Sequence, residues 1–230
     1  MTALKVLSAG AVKKGVAQLA ESFARENDCK VDVEFATAPQ LRARIMGGEA
    51  PDTIVAPPSA MDEFEKAGRV LADTRSFLGR SRMGVVVHTD SPIREVPDVD
   101  AFKRIVLEAS SVVINKASSG IYAAKLLEQL CPAPALGSRV VVVDSGGAVM
   151  EYVAAHGAAV VGLAQISEIR VVVAKGLPVR LAAPLPDAVQ NVTRYEAAAH
   201  ARAASPKAAE LAKYMATPEA RKVFAATGID

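Results

Sequence analysis

Tryptophan is absent from this 230-residue sequence and aromatic residues make up only 4% of it, although 51% is hydrophobic. A core drawn from that composition is aliphatic, built on Val, Leu, Ile and Ala, and suits a parallel sheet buried on both faces. Neither charge sign dominates: 27 basic side chains stand against 25 acidic ones, for a formal charge of +2. No basic run and no patch of aromatics interleaved with arginine is present, so no nucleic-acid partner is expected. No apolar stretch is long and uninterrupted enough to span a bilayer, so no membrane insertion is expected either.

Reactive clusters are missing as well. Cys29 and Cys131 stand alone, without a CxxC pattern or a neighbouring histidine, and read as two reduced thiols. Their separation neither requires nor excludes a disulfide. His88, His156 and His200 match no metal-ligand spacing; His156, beside Gly157, reads as the dipole partner at a helix end. There is no GxSxG, phosphate loop or HExxH, and Gly146-Gly147 alone does not make a nucleotide site. No metal and no cofactor are expected. Met1-Thr-Ala3 leads straight into the first strand, without a basic region, an apolar region or a cleavage site. The chain as written is therefore expected in the cytoplasm, and in the periplasm if a leader has been removed.

What is present is one module used repeatedly: a β-branched strand, a small-residue turn, and a helix start. It appears as Leu4-Lys-Val-Leu-Ser8-Ala-Gly10, Val31-Asp-Val-Glu-Phe35-Ala-Thr37-Ala-Pro39 and Thr53-Ile-Val55-Ala-Pro57-Pro-Ser59. It returns as Val112-Val-Ile-Asn115-Lys-Ala-Ser118-Ser119-Gly120 and Val140-Val-Val-Val143-Asp-Ser145-Gly146-Gly147. Each turn places unpaired backbone N–H groups at the positive end of a helix dipole, where a hydroxyl adds a further donor. Turns of this kind at one end of parallel strands suit a small anion. The alternation βαβαβα over 4–68, a strand near 85–89, a second βα series over 98–182 and a return strand over 191–199 describe a doubly wound α/β chain. Asp90-Ser-Pro92 and Pro97-Asp98 read as loop, and Ala183-Pro184-Leu-Pro186 as a second passage between lobes. Ser205-Pro206-Lys207 and Thr217-Pro218-Glu219 start two closing helices.

The order of these elements and the closing Leu211-Ala-Lys-Tyr-Met215-Ala-Thr217-Pro218-Glu219 through Gly228 resemble a type II periplasmic solute-binding protein. Within that group the chain is most similar to the molybdate-binding proteins of ABC importers. Ala36-Thr37-Ala38-Pro39-Gln40-Leu41-Arg42-Ala43-Arg44-Ile45, Pro51–Ala56, Ser119-Gly120-Ile121-Tyr122-Ala123 and Val161–Ser167 carry the likeness. The resemblance implies an α/β fold of two doubly wound lobes joined by two crossing strands, periplasmic binding protein-like and of type II. Lobe 1 is then 1–82 with 190–230 and lobe 2 is 83–189, with the ligand cleft between them. It also implies a monomer, an ABC importer's membrane subunits as partners if the protein is exported, and a small anionic ligand.

The chain departs from the molybdate pattern in three places. Gly10-Ala11 replaces a serine before the first helix, Thr37-Ala38-Pro39 replaces a serine-rich turn, and Gln165 stands where the family has an oxyanion-contacting tyrosine. These changes move the expected ligand from a molybdate-like oxyanion toward an organic carboxylate, which accepts through two oxygens. The ligand-binding candidates are Ser8, Ala9, Gly10, Thr37, Ala38, Ala56, Ser118, Ser119, Gly120, Gly146, Gly147 and Gln165. Ser8 also reads as a small residue at a strand–helix junction, Thr37 and Ser118 as plain N-caps, Asp144 as a helix cap, and Arg42 and Arg44 as a solvated face. Two functions follow. One is a receptor that presents a small anion to an ABC importer; the other is a cytoplasmic, cofactor-free isomerase or tautomerase of a small organic acid. Asp144, Gln165 and Ser119 are the catalytic candidates of the second.

Overall fold

The computed structural model describes residues 3–131 and 136–230. Its strands are β1 (Leu4–Ala9), β2 (Val31–Ala36), β3 (Thr53–Ala56), β4 (Ser76–His88), β5 (Ser111–Asn115), β6 (Val140–Val143), β7 (Val160–Gln165), β8 (Val179–Pro184) and β9 (Val192–Ala199). Between and after them come α1 (Lys13–Glu26), α2 (Ala38–Met46), α3 (Pro58–Lys66), α4 (Val99–Glu108), α5 (Ser118–Leu130), α6 (Gly146–His156), α7 (Ile166–Val173), α8 (Lys207–Tyr214) and α9 (Pro218–Ala226). The fold is the mixed α/β arrangement that the alternation of strand and helix patterns predicts.

Two compact units divide the chain. The first holds the residues up to Arg80 together with Thr193–Asp230, and the second holds Ser81–Val192; the sequence reading places these boundaries at 82/83 and 189/190. Both passages fall inside strands, one within β4 and one at the start of β9. The segment 183–186, read from sequence as the second passage, is instead the end of β8 and the turn after it. β8 pairs antiparallel with β4, Gly84 opposite Pro184. Proline is tolerated there because β8 pairs with β4 alone, so the missing N–H breaks no ladder.

In the first unit the strand order is β2-β1-β3-β9, with the first three parallel and β9 antiparallel to β3. Ala9 pairs with Ala36 and Ser8 with Val55, so Ala9, Ala36 and Ala56 end three adjacent strands side by side. The core around them is aliphatic, with Phe23, Phe64 and Phe224 as its large rings. α1 contributes Val16, Leu19, Ala20 and Phe23, the face set by their helical spacing.

In the second unit the order is β8-β4-β7-β5-β6; β5 runs parallel to β6 and β7, and β4 antiparallel to β7 and β8. Alternate residues serve opposite faces. Val85, Val87, Val112, Ile114, Val161 and Leu163 join one cluster, while Val86, Val113, Val160 and Ala164 join the other. Both faces are therefore buried, which is why these strands read as unbroken apolar runs. Among the described residues, no helix is long and apolar enough to cross a membrane.

His200, just past β9, is 1% exposed. Its Nδ1 accepts from the Arg202 amide at 3.0 Å, and its buried Nε2 has no hydrogen-bond partner among the described residues. Burial, reinforced by the Arg202 and Arg69 charges and opposed by Asp52, pushes the imidazole pKa below its ordinary value. The folded protein then binds this proton more weakly than the unfolded chain does. Stability is full above the unfolded pKa and declines as pH falls below about 6.5, until the lowered folded value is passed. Melting temperatures between pH 8 and 5 check this: His200→Gln is expected to flatten the acid limb, and an unchanged limb would assign it to other groups.

Candidate functional site

Helix starts that follow the parallel strands fall into two kinds. α2, after β2, is closed by its own residues: Thr37 Oγ1 accepts from the Gln40 amide, and Gln40 returns a bond to the Thr37 amide, a complete capping box. α6, after β6, is closed by Ser145, whose Oγ accepts from the Ala148 amide at 3.2 Å. The other four starts have no side-chain cap. After β1 the chain enters a 3-10 turn (Gly10–Val12) from Ala9; α3 follows Pro57, α5 follows Ala117, and α7 follows Gln165.

This division has a topological pattern. The capped starts follow β2 and β6, each at the end of its unit's strand order, whereas the uncapped ones follow β1 and β3 in the first unit and β5 and β7 in the second. In both units those two strands are neighbours, and the chain winds away from them in opposite directions. Such a switch point is where open α/β sheets place ligands, beyond the carboxyl ends of the strands. The edge strands finish their helices with hydroxyls; the inner strands leave helix amides open toward that region.

The β5–α5 turn is the most tightly built. Asn115, 2% exposed, accepts the Ala117 amide at 2.8 Å through Oδ1 and reaches Ser119 Oγ at 3.4 Å through Nδ2. Gly120 lies against the Asn115 main chain so closely that a Cβ there would overlap the Asn115 carbonyl. Ser118 is the first helical residue, not the cap, and Ser119 is buried beside Gly120.

The β6–α6 turn differs from its sequence reading. Asp144 does not cap the helix; Ser145 does, and Asp144 lies 87% exposed with one oxygen 2.6 Å from Lys116 Nζ. That bond and the Lys116 charge hold the Asp144 carboxyl below the usual range. The space beside Gly146 is taken by the Glu168 carboxylate, which occupies the position a Cβ would have. Of the two ligand-binding candidates Gly146 and Gly147, Gly146 is thus approached closely by a carboxylate of the protein's own. A negative charge at a helix start is favourable, so α6 begins with its dipole already answered.

The nearby cations are also committed. Arg42 donates to Glu63 at 3.0 Å and to Ser59 Oγ at 3.0 Å, beside the start of α3. Arg44 is shared between Glu49 and Glu34 at 2.6 Å each, bonds that raise its pKa further, that to Glu49 the more. It lines a cavity of about 270 Å³ with Lys5, Asp32 and Glu49, set beside the earlier part of β1 and β2. Cys29 and Cys131 are free thiols, and burial pushes the Cys131 thiol pKa up, which disfavours its thiolate. Among the described residues no three His, Cys, Asp or Glu side chains gather as a metal group.

The first unit thus brings Ser8, Ala9, Gly10, Thr37, Ala38 and Ala56 to the carboxyl ends of adjacent strands, and the second does the same for Ser118, Ser119, Gly120, Gly146, Gly147 and Gln165. Ser8 is fully buried and its hydroxyl donates to the neighbouring Ala9 carbonyl at 3.2 Å. Asn115, Ser81, Ser167 and Glu168 escape a sequence reading. Only Asn115 carries a legible signal, an Asn at a strand end two residues before a free amide.

Comparison with known proteins bears on this geometry. A family model described as bacterial extracellular solute-binding protein matches residues 4–230. An aconitate isomerase from Pseudomonas sp is 28% identical over 238 residues, covering 100% of this chain and 88% of that protein. Among solved structures, the Azotobacter vinelandii periplasmic molybdate-binding protein is similar with a TM-score of 0.80 at 20% identity, covering 99% of this chain and 98% of that one. A tungstate ABC transporter structure from Geobacter sulfurreducens has a TM-score of 0.75 at 16% identity, covering 97% of each chain. At such identities the structural likeness is one of fold.

Proposed function

Because the chain belongs to the bacterial extracellular solute-binding proteins, we propose that it binds a small organic polycarboxylate and delivers it to the membrane subunits of an ABC importer. The observation that carries this reading is that, of the helix starts following parallel strands, those after β1, β3, β5 and β7 lack a side-chain cap. Each unit offers main-chain amides as donors: Gly10 and Ser59 in the first, and Ser118, Ser119 and Ile166 in the second, where the hydroxyls of Ser118 and Ser119 stand beside them. Rigid amides at a positive helix end bind a carboxylate without reorganising, and excluding water strengthens each contact. Cations with protein carboxylates of their own leave recognition to these dipoles. Gln165 in the family's tyrosine position, and Gly10-Ala11 in place of a serine, support a planar carboxylate over a tetrahedral oxyanion.

A second reading, isomerisation of the bound acid, is favoured by the full-length similarity to an aconitate isomerase. The open amides then stabilise an enolate-like intermediate as an oxyanion hole does. Asp144 is a poor choice for the base in this reading, since its pairing with Lys116 lowers its affinity for a proton. Ser119 and Gln165 keep their positions as donors to the reacting acid.

Both readings are separated by one pair of measurements. A ligand present at 100 times its dissociation constant adds about 2.7 kcal/mol, which for a chain of this size raises the melting temperature by about 5–10 °C. A thermal-shift panel of cis-aconitate, trans-aconitate, citrate, molybdate, tungstate and sulfate is expected to select the polycarboxylates. NMR of the protein incubated with cis-aconitate then reports turnover: no trans isomer supports the receptor, and its appearance supports the isomerase. Selection of molybdate or tungstate alone would overturn the polycarboxylate assignment.

A further inference from the structure

We propose that Ser81 and Ser167 form a hydroxyl pair that donates to one oxygen of the bound anion at the start of α7, an assignment that rests on the anion-binding reading above. Both residues belong to the second unit. Met83 pairs with Gln165 across β4 and β7, which sets Ser81 alongside the first turn of α7. There its Oγ lies 3.2 Å from the Oγ of Ser167, the second residue of that helix. Ser81 is 0% exposed and Ser167 2%.

Proton counting makes the pair unusual. Two hydroxyls carry two donor hydrogens, and the bond between them uses one. No carbonyl or carboxylate among the described residues is hydrogen-bonded by either hydroxyl, so one buried O–H is left over whichever serine donates. A buried donor without an acceptor is costly, and alanine at both positions would avoid the cost while filling nearly the same volume. An arriving carboxylate oxygen supplies the missing acceptor. The location fits, because α7 is one of the four uncapped helix starts that follow parallel strands and its cap residue, Gln165, is a ligand candidate in its own right. A hydroxyl here adds a donor that can rotate toward its acceptor, beside amides that cannot.

Isothermal titration of the full chain with cis-aconitate and with molybdate tests the assignment, comparing the wild type with Ser81→Ala, Ser167→Ala and the double variant. A lost hydrogen bond to a charged acceptor weakens binding by about ten-fold or more. The double variant is expected to show that loss, as is the single variant that removes the serine whose O–H reaches the anion; the other serine only donates to that hydroxyl, and its variant is expected to weaken binding less. The ligand-free double variant is expected to melt at or above the wild-type temperature, since it removes the unmatched donor, and this separates a contact from a structural role. Unchanged affinity in the double variant, for a probe the wild type binds, overturns the pair while leaving anion binding intact. Failure of the wild type to bind any probe of the panel removes the anion-binding reading itself, and this assignment with it.

Discussion

Gly120→Ala is expected to destabilise the protein by about 3 kcal/mol or more, beyond the usual range for a methyl added to a helix. In an ordinary helix the same change is favourable, since alanine is the better helix former by about 1 kcal/mol. Here the new Cβ would overlap the main-chain carbonyl of Asn115, a residue held at the end of β5 by its ladder with β6. A flexible side chain can step aside, whereas a strand carbonyl in the middle of a sheet cannot. α5 must therefore lift off the strand, breaking the Asn115–Ala117 and Asn115–Ser119 bonds and moving the open amides of Ser118 and Ser119. Urea unfolding followed by circular dichroism measures the loss, and polycarboxylate affinity is expected to fall with it. Gly147→Ala is the control: its Cβ would meet only Ser145 Oγ, at 3.8 Å, so no loss is expected. Equal stability of the two variants would refute the close-contact argument.

The second large effect is expected in the core of the first unit. Phe224 on α9 is fully buried, and truncation to alanine is expected to cost about 3–5 kcal/mol through lost burial and the cavity left behind. Its ring lies directly over Gly15 of α1, with Cε1 2.6 Å from where a Cβ would be. Gly15→Ala alone is therefore expected to be destabilising, by about 1–3 kcal/mol, because a ring packed on every side has nowhere to move. Combined with Phe224→Ala, the added methyl enters the vacated space. The double variant is expected to be more stable than the sum of the single effects implies, by about 1 kcal/mol or more. Additive losses in a double-mutant cycle would mean that the two residues do not share this contact.

These two glycines show where a sequence is readable and where it is not. Gly120 is visible in the sequence as part of a small-residue turn after a strand, and the turn was the correct expectation. That its neighbour is a backbone carbonyl, and not a ligand or open space, follows only from the way α5 folds back on β5. Gly146 makes the point more sharply. Its sequence context matches that of Gly120, yet its space is filled by Glu168, a residue 22 positions later with no local reason to be there. Thr37 is legible as an N-cap because capping is a local bond between residues three apart, whereas at α6 the sequence reading takes Asp144 and the cap is its neighbour Ser145. Ser81 and Ser167 are 86 positions apart, and no periodicity links them.

The amino-acid order by itself determined the elements: β-branched runs make strands, the spacing of Val16, Leu19 and Phe23 makes a helix, and hydroxyls or prolines at the boundaries start the next one. These depend on interactions within a few residues, which any local stretch carries in full. It also determined that the turns are rich in unpaired amides. Local caps close α2 and α6, and Asn115 locks the start of α5 through bonds to residues two and four positions on. Where the open amides come together was decided by tertiary structure: strand order makes β2 and β6 outer and β1, β3, β5 and β7 inner, and a long-range contact brings Glu168 to the start of α6. A helix dipole is the same at every turn; what surrounds it in space sets whether it is neutralised by the protein or left for an anion.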